Sequence, residues 1–147
     1  MIAKDLRRLS KLYVKFLAQQ LPPPHTEYMA EAMLYLGSSE QKVHQKLLAE
    51  FLVIDRRSVV AMLDDLIKLQ YVSIEKDPDT LKDHLFSLTS SGKAILPKIV
   101  EAIKATDDML RGNMDKRKYK SFFSLMTEME QNLLKRIPVY NFRKLEG

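Results

Sequence analysis

The sequence predicts a mainly α-helical domain with one small β hairpin placed past the middle of the chain. Three observations predict it. Apolar residues recur at helical spacing before Ile67 and again after Ile95. Between those stretches the period changes: Val72 and Ile74 alternate with Ser73 and Glu75, and Phe86 and Leu88 with Leu85 and Ser87, which is strand spacing. Finally, 147 residues, 46% hydrophobic and 29% charged, suffice for one ordinary domain.

The elements follow in order. Leu6, Leu9, Tyr13, Phe16 and Gln20 share one helical stripe, with Leu12 and Leu17 beside it, while Lys4, Arg7, Arg8, Lys11 and Lys15 cover the other side. This helix must stop at Leu21, because Pro22-Pro23-Pro24 cannot continue it. Thr26 is the N-cap candidate of a second helix through Met29, Met33 and Leu36, with Gly37 as its stop. A turn at Gly37-Ser38-Ser39 leads into a short helix that ends near Leu52. Asp55 caps the next, in which Val59, Leu63, Leu66 and Ile67 form an amphipathic face. The two strands come next, separated by Asp77-Pro78-Asp79. Thr89 or Ser90 then caps a helix carrying Ile95, Ile99, Ile103 and Leu110, which Pro97 should kink unless it sits near the first turn. After Gly112-Asn113, a last helix carries Tyr119, Phe122, Met126, Met129, Leu133 and Ile137 and ends at Pro138. The order is four helices, a hairpin, then two helices.

Composition removes several function classes. Without cysteine there is no disulfide, thiolate metal knot, redox thiol or Cys nucleophile. His25, His44 and His84 are far apart in sequence, and no His-x-x-x-His or close His/Glu cluster offers a metal site. There is no Gly-x-Ser-x-Gly elbow and no Gly-rich phosphate loop. Asp64 and Asp65 are successive helix positions and do not face one another. No enzyme activity, cofactor or metal is expected. The start of the chain is charged where a signal peptide needs apolar residues, and no apolar run is long enough to span a bilayer. The expected compartment is the cytoplasm, with no membrane partner.

The net charge of +5 is unevenly spread. Residues 1–24 hold 5 basic and 1 acidic residue, residues 25–110 hold 10 and 14, and residues 111–147 hold 9 and 4. The positive excess therefore lies at the two ends, so a nucleic-acid reading cannot rest on overall charge.

Two short helices, a turn and a hairpin form the layout of a winged helix-turn-helix, here spanning residues 40–90. The residues resemble the MarR-type regulators of bacterial transcription. The resemblance is carried by Leu48-Ala49-Glu50 with Leu52, then Ile54-Asp55-Arg56-Arg57-Ser58-Val59, then Leu63, Leu66 and Val72. Asp77-Pro78 in the wing and Leu88-Thr89-Ser90-Ser91-Gly92 after it complete the pattern. It implies one domain over residues 1–147, with terminal helices at 4–21 and 115–137 that interleave with those of a second copy. It also implies regulation of transcription by a homodimer bound to double-stranded DNA.

The chemistry agrees with that implication in part. A recognition helix in the major groove presents its first turn to base edges. Arg56, Arg57 and Ser58 fall there, with Val60 and Ala61 one turn on. Arginine suits bidentate contact with guanine O6 and N7. Gln45 and Lys46, opening the preceding helix, suit phosphates, as do Lys76 and Lys82 in the hairpin. His44 stands where the family usually has a capping Thr or Ser.

Other residues depart from the family. The wing arginine that enters the minor groove would fall on Leu81, which carries no charge. The family's glycine between recognition helix and strand is Gln70. Residues 44–89 hold six basic and eight acidic residues, a net of −2, which is a poor charge for DNA. Two readings therefore stand: a DNA-binding regulator, and a protein-interaction module that kept the fold with weak or lost DNA affinity. An amphipathic membrane-surface protein is a third. If a signal is sensed, it is a small apolar or anionic organic molecule. Tyr13, Phe16, Met29, Met33 and Ile99 would line its site at the junction of the terminal helices and the winged segment, with His25 nearby.

Overall fold

The computed structural model describes residues 1–136. Among them the order is α1 (Ile2–Gln20), α2 (Glu27–Ser38), β1 (Val43–His44), α3 (Gln45–Leu52), α4 (Arg56–Lys68), β2 (Val72–Lys76), β3 (His84–Leu88), α5 (Ser90–Arg111) and α6 (Lys116–Leu134). The last helix ends at Leu134, with Lys135 as its C-cap, short of the expected reach to Ile137; Ile137 and Pro138 themselves lie outside the described residues.

The helix starts are set by side-chain oxygens that accept otherwise unpaired N–H groups. Thr26 Oγ1 accepts from Met29 at 3.3 Å, and Thr89 Oγ1 from Gly92 at 3.0 Å, so the cap of α5 is Thr89 rather than Ser90. Asp55 caps α4, and Asp115 caps α6 through the Arg117 N–H at 2.8 Å. One expectation about helix interiors needs correction. Helix α2 runs through Gly37 to Ser38, so Gly37 is not its stop. A Cβ there would lie 2.5 Å from Leu96 Cδ2, and the glycine serves close packing of α5 on α2. The stop falls where the Ser38 and Ser39 hydroxyls donate to the Tyr35 carbonyl at 3.0 and 2.7 Å. Pro97 lies well inside α5, which continues through it to Arg111.

The sheet has three antiparallel strands in the order β1-β3-β2 rather than the expected two. Strand β1 is only two residues long, too short to show an alternating period, and is set by pairing Val43 with Phe86 and His44 with Leu85. On the other side Val72 faces Leu88, Ile74 faces Phe86 and Lys76 faces His84. Val72, Phe86 and Leu88 point into the core, whereas Ile74 is 47% exposed because β2 leaves the core as it runs into the wing.

Met33, Leu48, Val59, Leu63, Leu66 and Ile99 are almost completely buried and join α2, α3, α4 and α5 into one core. Each such side chain contributes roughly 1.5–3 kcal/mol. Gly92 fixes the strand to α5: a Cβ at that position would overlap the Tyr71 carbonyl, which also accepts the Thr89 N–H at 3.1 Å. The Thr-x-x-Gly pattern after β3 is thus a cap and a close backbone crossing in one. The terminal helices differ. Only Leu17 of α1 is buried, and no residue of α6 is.

Candidate nucleic-acid interface

Helix α4 presents its N-terminal turn to solvent because of the way it is capped. The Asp55 carboxylate accepts the Ser58 N–H at 2.9 Å and the Ser58 hydroxyl at 2.7 Å. The two Ser58 hydrogen bonds hold the exposed Asp55 carboxyl below its usual range. Ser58, nominated as a DNA contact, therefore has its hydroxyl committed to the cap. Val59, Met62, Leu63 and Leu66 take the inner face of α4. By the helical period, Arg56, Arg57, Val60 and Ala61 are left outside, and all four are exposed. Neither arginine forms a salt bridge among the described residues. Two uncompensated cations at a helix N-terminus oppose the helix dipole and are available to an external anion.

Beside this turn lies an open cleft of about 640 Å³ between the start of α3 and the wing. Gln45 and Lys46 of α3, Arg56 of α4 and Lys82 of the wing line it, together with His44 and His84. Four of the nine nominated DNA contacts thus share one concave surface. Arg57, Val60 and Ala61 belong to the adjoining outer face of α4, and Lys76 is exposed at the end of β2 opposite His84. Lys46 is only loosely tied, 4.0 Å from Glu50.

The wing is a braced loop. The Asp77 N–H donates to the Asp83 carbonyl and the Leu81 N–H to the Asp77 carbonyl, both at 2.8 Å. The Asp77 carboxylate accepts the Asp79 N–H at 2.9 Å, and Thr80 Oγ1 accepts the Asp83 N–H at 3.2 Å. This network sets Leu81 at φ 58 on the tip, 70% exposed, with Lys82 beside it and followed by Asp83. Gln70 also takes a left-handed backbone, φ 63, in the place where glycine is usual.

The two histidines of the cleft were not apparent as a pair in the sequence. His44 precedes α3 but makes no capping bond with its side chain. Its Nε2 instead lies 3.3 Å from Asp77 Oδ2, joining the start of α3 to the base of the wing. Their proximity arises only when the hairpin folds back over α3.

The structure divides the five residues expected to line an effector site. Met29, Met33 and Ile99 are buried in the core. Tyr13 and Phe16 do line a recess, of about 320 Å³, with Leu9, Leu12, Thr106 and Met109. The Tyr13 hydroxyl donates to Asp107 at 2.7 Å; burial first, then that carboxylate, pushes the phenol pKa up. His25 is buried and stacked on Tyr71 with ring centroids 5.4 Å apart. Its Nδ1 donates to the Pro22 carbonyl at 2.7 Å. Its Nε2 has no partner among the described residues. Among these residues no cluster of His, Asp and Glu is arranged to hold a metal, and no helix is long and apolar enough to cross a membrane.

No family model and no curated protein sequence matches the chain. Solved structures do. The transcriptional repressor CouR, bound to a 23-mer DNA duplex, superposes with a TM-score of 0.81 at 20% identity, covering 88% of this chain and 92% of its own. BpsR of Bordetella bronchiseptica, whose DNA binding is regulated by 6-hydroxynicotinic acid, gives 0.80 at 18% identity, covering 88% and 98%. A MarR-family transcriptional regulator from a Rhodococcus species gives 0.80 at 15% identity, covering 87% and 91%. The chain has the winged-helix fold of the MarR-family transcriptional regulators.

Proposed function

We propose that this protein is a DNA-binding regulator of transcription that acts as a homodimer. One observation carries the reading: Arg56 and Arg57 stand exposed and without salt bridges on the first turn of α4, next to a cleft lined by Gln45, Lys46 and Lys82. That turn is where a recognition helix meets base edges, and the cleft is where the phosphate backbone passes. The DNA-bound state of a structural neighbour supports the same use of the fold.

Dimerisation is supported by what the terminal helices leave uncovered. Leu6, Leu9 and Phe16 of α1 and Phe123, Leu125 and Leu133 of α6 are each at least 40% exposed. Apolar stripes of this kind on two helices need a partner, and a two-fold copy also sets two α4 helices against successive half-sites. A small apolar or anionic organic effector belongs to the same reading. The Tyr13–Phe16 recess is the place such a molecule would use, and a neighbour regulated by 6-hydroxynicotinic acid supports the class. Those neighbours are transcriptional regulators, which supports a non-enzymatic role.

Selection from random duplexes at low and moderate salt tests the proposal. A near-palindromic site with half-sites about one helical turn apart is expected. The net charge of −2 over residues 44–89 and the uncharged wing tip favour the second reading, a protein-interaction module. Under that reading the selection enriches nothing at either salt concentration.

A further inference from the structure

Two of the chain's three histidines line the cleft beside the recognition helix. We propose that His44 and His84 are proton-dependent phosphate contacts, so that the protein holds duplex DNA more tightly as pH falls from about 8 to about 5.5. The inference rests on the DNA-binding reading above.

Geometry supplies the argument. His44 is held at the base of the wing by Asp77, whose carboxylate is buried and fixed by the Asp79 N–H, so its ring has a set orientation. The ring remains 40% exposed and borders the cleft. His84 opens β3, opposite Lys76, and is exposed at the far side of the same cleft. The other charges facing the two rings are Lys46 from α3, Arg56 from α4, and Lys82 and Asp83 from the wing. The four cations Lys46, Arg56, Lys82 and Lys76 oppose a further positive charge, and Asp77 and Asp83 favour it. A phosphodiester oxygen in the cleft adds negative charge next to both rings and shifts that balance toward the imidazolium. By reciprocity the charged rings favour the phosphate.

The charge count explains why two protons matter here. Residues 44–89 stand at −2 with neutral histidines, and protonation of both rings cancels that deficit. Each added phosphate contact also releases a counterion, steepening the salt dependence by about 0.9 per contact. A module poorly charged for DNA at neutral pH thereby becomes competent at mildly acidic pH.

The test measures binding of full-length protein to one duplex at about pH 8 and about pH 5.5, at equal ionic strength and over a salt series. The wild type should bind at least roughly tenfold tighter at the lower pH, with a steeper salt slope. In His44→Gln/His84→Gln the ratio of the two affinities should fall to within about twofold of one. His84→Gln alone, a change at an exposed strand position, should lose part of the pH response and guards against misfolding of the double variant. Binding with the same affinity and slope at both pH values overturns this inference and leaves the DNA-binding reading intact. A pH response undiminished in the double variant overturns it equally. Absence of binding at either pH, at low salt, overturns both.

Discussion

Helix α4 and the wing border the same cleft but are built on opposite plans. At the start of α4 the Asp55 carboxylate is engaged as the cap, accepting two bonds from Ser58, and the cations Arg56 and Arg57 are left exposed. In the wing the carboxylates stay around the only remaining cation: Lys82 sits between Leu81 and Asp83, and Asp79 flanks the same turn. The tip itself is an exposed leucine in a left-handed backbone. Both the number and the placement of cations separate the two. One region presents exposed cations without salt bridges among the described residues. The other offers a braced edge whose three carboxylates outnumber its one lysine. Sequence discrimination should therefore reside in α4, with the wing adding a weak and sequence-blind attraction.

The comparison breaks most completely if α4 loses its seat. Leu66 is fully buried behind the exposed arginines, and Leu66→Ala should cost about 2–5 kcal/mol of folding stability by chemical denaturation. A smaller effect is expected in the wing. Lys82→Ala should weaken all duplexes alike and lower the salt slope by about one, read from affinities over a salt series. A change in the preferred sequence in that variant would place base reading in the wing and reverse the comparison. Leu81→Arg tests the same point from the other side. A cation on the tip should strengthen binding and steepen its salt dependence. Smallest is the cap. Because the folded Asp55 carboxyl titrates below its unfolded value, the cap stabilises the fold above about pH 3.9 and is lost as pH falls further. The gap in melting temperature between wild type and Asp55→Ala should accordingly close as pH drops through that window.

Much of this contrast can be read from the chain alone, where the signal is local. Thr26, Asp55 and Thr89 announce their helices because a cap needs only a side-chain oxygen within three residues of the N–H it satisfies. The exposure of Arg56 and Arg57 follows from the 3.6 period once Asp55 is the cap. Non-local features are not legible in the same way. Gly37 has the look of a helix stop, but its role is set by Leu96, which is distant in sequence. Gln70 departs from the family's glycine, yet the backbone there is still left-handed, because its neighbours dictate the turn. A helical period marks Met29, Met33 and Ile99 as inward-facing without telling a closed core from a cavity wall. The pairing of His44 and His84 across one cleft depends on β1, a strand of two residues with no period to detect.

The central claim, that the first turn of α4 reads DNA sequence, is tested most directly by repeating the duplex selection with Arg56→Ala and Arg57→Ala beside wild type. Each variant should retain its fold, lose about 1–3 kcal/mol per half-site on the wild-type duplex, and relax the preference at one base position. Wild-type affinity and an unchanged base preference in both variants would contradict the account.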